Sequence, residues 1–258
     1  MSRLKKLGIL ISSTTALGLC AATLWFALRS PLFIVQVVEV VEPEASELIP
    51  LDAHKIAELA AVPVGKTNLF FLNLKEVQNR ILANSWIQDV HLEKQFPQTL
   101  VVSVTFRKPR ALIQQPQGGI VYLDERGVPF EKIDLRLKSD LPLLSGFEGN
   151  MPMAIEFLKK WDTFFGGPTN QSPVLELSSL DWEKESGFRA WVHYPLTAGA
   201  RKQARASIDL GADVGSDLDL QLSRLQGVAR YLARHNIAVR HIWADAGKKI
   251  VVKTAFGS

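Results

Sequence analysis

Cysteine is nearly absent from this chain: Cys20 is the only one in 258 residues. No intrachain disulfide can form and a thiolate metal site is excluded, so stability has to come from packing. Neither sign of charge dominates. Thirty Lys and Arg against 26 Asp and Glu leave a formal charge of +4, and the basic residues are spread along the chain, which argues against a nucleic-acid partner. With 47 % hydrophobic and 22 % charged residues the composition supports a buried core.

Catalytic signatures are missing as well. Gly65-Lys66-Thr67 is the nearest approach to a phosphate loop, but Ala60 stands where the first glycine belongs and no strand leads into the loop. There is no G-x-S-x-G elbow and no S-x-x-K. The five histidines, at 54, 91, 193, 235 and 241, form no H-x-x-x-H, and none pairs closely with a carboxylate along the sequence. They are expected to be surface or half-buried side chains. The carboxylate pairs Glu42/Glu44 and Glu183/Glu185 lie in polar, turn-like surroundings that suit solvated loops better than acid–base work. The expectation is therefore no catalytic residue, metal, cofactor or small-molecule substrate.

One long apolar run is present. Leu7 to Leu28 carries no charge; as a helix its roughly 22 residues span about 33 Å, enough for a bilayer core. Trp25 and Phe26 fall at the outer end, where an aromatic belt sits. Arg3, Lys5 and Lys6 precede the run, and after Arg29 the next basic residue is Lys55, which places the amino terminus in the cytoplasm. A cleaved signal peptide and a buried globular helix are the competing readings. The run exceeds the about 7–15 residues of a signal core, "FALRSP" is a poor cleavage site, and a globular helix rarely stays uncharged for so long. A retained single-pass anchor is expected, with Cys20 inside it as a small apolar residue.

Beyond the anchor the patterns alternate between strand and helix. "LFIVQVVEVVE" (32–42) is β-rich. Asp52 can cap "AHKIAELAAV", and Asn73 with Glu76 forms a capping box for a helix with Leu74, Val77, Ile81 and Leu82 on one stripe. "WIQDVHLEK", the turn "QFPQ" and "TLVVSVTF" read as a hairpin in which Leu100, Val102, Val104 and Phe106 share one face. The order β-α-α-β-β occupies about 75 residues and Pro109 closes it. "ALIQQ", "GGIVYLD" and "VPFEK" follow as strands, the last two joined by a tight turn at 124–127, whereas "LPLLSGFEGN" (141–150) reads as irregular. A helix over 153–165, strands in "VLELSSLDW", "FRAWVHY" and "ASIDLGAD", a helix capped by Asp217, and a hairpin from "VRHIWA" through Asp245-Ala246-Gly247 into "KIVVKTAF" complete the chain.

These pieces resemble the bacterial cell-division FtsQ/DivIB family. The resemblance is carried by the "VGKTNLFFL" run at 64–72, by "WIQDV" followed by "FPQTLVVSV", by "DERGVPF" at 124–130, and by the order of anchor, small domain and β-rich domain. It covers nearly the whole chain, fitting best at 31–147 and more thinly at 150–206. Two departures stand out: the exit Phe106-Arg107-Lys108-Pro109 lacks the usual acidic residue, and His241-Ile242-Trp243-Ala244 replaces a D-L-R-Y-like segment.

The resemblance implies an α+β protein with a cytoplasmic tail (1–6), a transmembrane helix (7–28), a POTRA domain of β-α-α-β-β order (31–108) and a C-terminal β domain with flanking helices (109–258). It implies a non-enzymatic divisome scaffold of the inner membrane, with its folded domains in the periplasm at midcell. The implied partners are FtsB and FtsL, with other divisome proteins on the POTRA domain. A chain ending in a hairpin can leave an edge strand open to β-addition, here residues 248–256. Arg240, Ile242, Trp243, Ala244, Gly247, Lys248, Lys249, Ile250, Val251 and Val252 are the candidate contacts, and Lys248 and Lys249 suit an acidic partner segment. The plainer reading of that edge is lysines guarding against aggregation. Two other functions are compatible with parts of the pattern, an outer-membrane assembly or secretion factor containing POTRA modules and a membrane-anchored periplasmic hydrolase. Only about 150 residues follow the first domain, too few for a long series of membrane strands.

Overall fold

Strand β3 (Thr99–Phe106) organises the first of two compact units, Met1–Arg107 and Lys108–Ser258. The computed structural model describes residues 17–23, 25–41, 49–133, 139–166, 175–196, 203–211, 216–244 and 249–254. Leu100, Val102, Val104 and Phe106 are all buried on one side of β3, as the alternation predicts. β2 (Ile87–Gln95) pairs with β3 antiparallel, and β1 (Val37–Val41) pairs with its other side in parallel, giving the sheet order β1-β3-β2. The two helices α1 (Ala53–Ala60) and α2 (Leu74–Leu82) connect β1 to β2. Each begins at the expected cap: Asp52 accepts from the Lys55 N–H at 2.8 Å and Asn73 from the Glu76 N–H at 3.4 Å. Ile56, Ala60, Val77 and Ile81 then reach the β3 core. Leu82 departs from the expected stripe and is 37 % exposed, because it stands one residue and about 100° round the helix from Ile81.

Residues 17–23 and 25–28 of the apolar run are helical. Among the described residues no helix is long and apolar enough to cross a membrane; positions 7–16 and 24 of the expected span lie outside them. The cytoplasmic tail at 1–6 lies outside them too.

Among the described residues the second unit holds one nine-stranded mixed sheet. In chain order its strands are β4 (Pro109–Gln114), β5 (Ile120–Asp124), β6 (Pro129–Lys132), β7 (Leu143–Ser145), β8 (Glu176–Glu183), β9 (Gly187–Pro195), β10 (Gln203–Gly211), β11 (Val239–Trp243) and β12 (Val251–Thr254). They lie in the order β12-β11-β10-β9-β8-β7-β4-β5-β6. Helices α3 (Met151–Phe165) and α4 (Ser216–Arg234) share one core with the strands, in which Phe157, Leu222 and Leu225 meet Phe188, Ala190, Val192 and Ile208. Arg110 on β4 pairs with Asp162 on α3, tying that helix to the sheet.

Two expectations need correction. The stretch 141–150 is not wholly irregular: β7 sits inside it, parallel to both β4 and β8. Three residues are too few to show alternation, and partners far away in sequence supply their hydrogen bonds. Asp217 lies in the first turn of α4 rather than at its cap, since the helix already includes Ser216; its charge still opposes the N-terminal dipole.

Candidate partner-binding edge

The large sheet ends at β12, and all four of its residues are exposed. β12 runs antiparallel to β11, with Val252 opposite Ile242 and Val251 opposite Trp243. On the far side of β12 no strand follows among the described residues, so every second residue there turns its N–H and C=O outward.

Strand alternation sends half of β9, β10 and β11 into the helical core and half to the opposite face. Register brings Ser207 and Asp209 beside His241 and Trp243 on one side, and beside Trp191 and Arg189 on the other. Four of these side chains are linked. Arg189 Nε donates to Asp209 Oδ1 at 2.7 Å, His241 Nε2 lies 2.9 Å from Asp209 Oδ2, and His241 Nδ1 lies 2.6 Å from Ser207 Oγ. A carboxylate only accepts, so the hydrogen bond to Asp209 places a proton on His241 Nε2. Hydrogen bonding and charge from Asp209 hold the Arg189 guanidinium above its ordinary pKa. The Trp243 ring stands 4.2 Å from His241, centre to centre, and remains 36 % exposed. Further in, the Arg205 guanidinium sits 5.2 Å from the centre of the Trp191 ring.

Serine, histidine and aspartate in a row are the residue types of a hydrolytic triad. Ser207 is only 6 % exposed, and Asp209 is shared with Arg189. The row fixes the His241 ring, which in turn positions Trp243 beside the edge. Among the described residues no three metal-ligating side chains come together.

The ten candidate residues separate by environment. Arg240, Trp243, Lys249, Val251 and Val252 are exposed, and Ile250 is half-buried against the core. Ile242 and Ala244 are buried at 1 % and 2 % exposure; their side chains are core groups, because alternation along β11 turns them inward. Gly247 and Lys248 lie outside the described residues, as does the 245–247 turn. Sequence reading missed Arg189, Trp191, Arg205 and Asp209. The alternation in "FRAWVHY" and "ARASIDL", with large polar or aromatic residues at every second place, was the available signal. It also treated the histidines as lacking carboxylate partners, whereas His54 meets Glu58 one turn on at 3.2 Å and His241 meets Asp209 across strands.

Known proteins with similar sequences agree on one identity. The family model of the FtsQ-type POTRA domain matches residues 49–106, the helices and the β2–β3 hairpin of the first unit. A cell division protein FtsQ of Geotalea daltonii is 32 % identical over 218 residues, covering 81 % of this chain and 74 % of the relative. One from Geobacter sp. strain M21 is 28 % identical over 222 residues (81 % and 75 %), and one from Syntrophotalea carbinolica 29 % over 251 (94 % and 83 %). With a relative this similar over four-fifths of this chain and about three-quarters of its own length, an FtsQ-type domain in the first unit and a mixed α+β architecture, the chain belongs to the FtsQ family of bacterial cell-division proteins.

Proposed function

We propose that this chain is a non-enzymatic scaffold of the divisome, held in the inner membrane by a single pass at 7–28. Its POTRA domain (31–108) and β domain (109–258) then face the periplasm and link early to late division proteins. FtsB, in complex with FtsL, docks by adding a strand to β12. The observation that carries this reading is the edge itself: a four-residue strand at the end of the sheet, with every residue exposed and Trp243 beside it. Main-chain hydrogen bonds would supply affinity, and the neighbouring side chains would supply choice of partner. Arg240, Lys249 and Lys253 are exposed around the edge, which favours a segment carrying acidic residues.

Proline scanning of the edge tests the docking mode. Val251 and Val252 are adjacent, so one turns its N–H toward β11 and the other turns it outward. Full-length Val251→Pro and Val252→Pro proteins are titrated with the FtsB/FtsL complex. The variant that loses the outward N–H is expected to bind at least about tenfold more weakly, about 1.4 kcal/mol, with an unchanged melting temperature. Undiminished binding by both variants sinks the edge-strand mode.

A further inference from the structure

An aromatic patch on the first unit is used neither by its core nor by the C-terminal edge. Phe33, Phe70 and Phe96 form a triangle with ring centres 4.6 Å (33–70), 4.5 Å (70–96) and 6.2 Å (33–96) apart. Phe70 and Phe96 are 37 % and 48 % exposed, and Phe71 is 54 % exposed. Clustered rings left in water mark a surface that meets another apolar phase.

The chain's own path indicates which phase. The helical residues 25–28 lead directly to the patch: the Trp25 ring lies 6.3 Å from Phe71, and Asn68 Nδ2 donates to the Leu28 carbonyl at 2.9 Å. The end of the apolar run is thus tied to the loop bearing Phe70 and Phe71. Two cations border the rings. The Arg29 guanidinium sits 4.4 Å over Trp25, and Lys94 Nζ donates to the Phe70 carbonyl at 2.9 Å. Partial burial there lowers the Lys94 pKa. Aromatic rings and cationic heads at the end of an apolar run match the headgroup layer of an anionic bilayer.

We propose that Phe70, Phe71 and Phe96 insert into the headgroup layer of the bilayer from which the chain emerges, so that the first unit rests on the membrane surface. The inference depends on the anchor reading of 7–28, and its test separates the two.

Full-length protein with Cys20→Ser receives a single labelling cysteine as Phe26→Cys, Phe71→Cys, Gln95→Cys or Thr105→Cys, each carrying a small fluorophore. Gln95→Cys keeps every ring of the patch, so loss of a ring cannot by itself explain a negative result. Thr105 is exposed and stands six residues along β3 from Thr99 at the turn end, about 20 Å. The proteins are reconstituted in phosphatidylcholine–phosphatidylglycerol vesicles with and without brominated acyl chains. Labels at 26, 71 and 95 are expected to lose emission to the brominated lipid to a comparable degree, while the label at 105 keeps it. Quenching at 26 with none at 71 and 95 overturns the proposal and leaves the anchor intact, whether the rings are then covered by protein or by water. No quenching at 26 removes the anchor reading and the proposal with it.

Discussion

Tyr194 secures the end of the large sheet with a single hydroxyl. The side chain is 2 % exposed; its O–H donates to the Ile237 carbonyl at 3.1 Å and accepts the buried Val239 N–H at 2.8 Å. That grip sets where β11 begins, and β12 hangs on β11. Tyr194→Phe leaves both backbone groups without their partner and should cost about 1–3 kcal/mol in chemical unfolding. Burial raises the phenol above its ordinary 10.0, against the smaller opposite effect of the Val239 N–H. A raised folded-state pKa means the stabilisation is complete below pH 10 and is lost as pH climbs through the folded value. Between about pH 9 and about pH 11 the wild type should therefore lose more stability than Tyr194→Phe; equal losses would contradict the assignment. The strand "FRAWVHY" was legible as a strand, but nothing local shows that its tyrosine reaches 43 residues ahead.

At the scale of elements, local signals and long-range ones diverge. The caps at Asp52 and Asn73 could be read because a cap is settled within four residues. β7 could not, since its three residues gain their ladder from β4 and β8. Gly146, at the exit of β7, shows how tightly that strand is seated. Its φ is +79°, and a Cβ there would come within 2.0 Å of the Trp182 carbonyl oxygen, a backbone atom of β8 with little room to move. Gly149 has a similar φ of +81° with open space around it. Gly149→Ala should cost only backbone strain, about 1–2 kcal/mol, whereas Gly146→Ala should cost about 3 kcal/mol or more. Comparing their urea midpoints isolates the clash, and equal midpoints would refute it.

For the whole molecule, each unit has its own buried core, one built on β3 and the other between a nine-stranded sheet and two helices. This division of labour suits a protein that presents surfaces to several others. A full-length fluorescent fusion in dividing cells should concentrate in a midcell band, and a uniform envelope signal would count against the scaffold reading. Removal of residues 251–258 should leave the cores intact in chemical unfolding, because Val251–Thr254 contribute no buried side chain.

Neighbouring residues alone encode the β-α-α-β-β order, the inward face of β3, the two helix caps, the final hairpin and the family. Periods of 2.0 and 3.6 residues and capping pairs are local, so they survive without the fold. Tertiary structure alone decided which strands lie side by side. It made β1 parallel to β3, inserted β7 in the middle of the large sheet, and placed β12 at its end. It also turned Ile242 and Ala244 into core residues and brought Arg189, Asp209 and His241, far apart in the chain, onto one face beside Trp243. Pairing across a sheet depends on the free energy of the assembled core, which no short stretch of this chain contains.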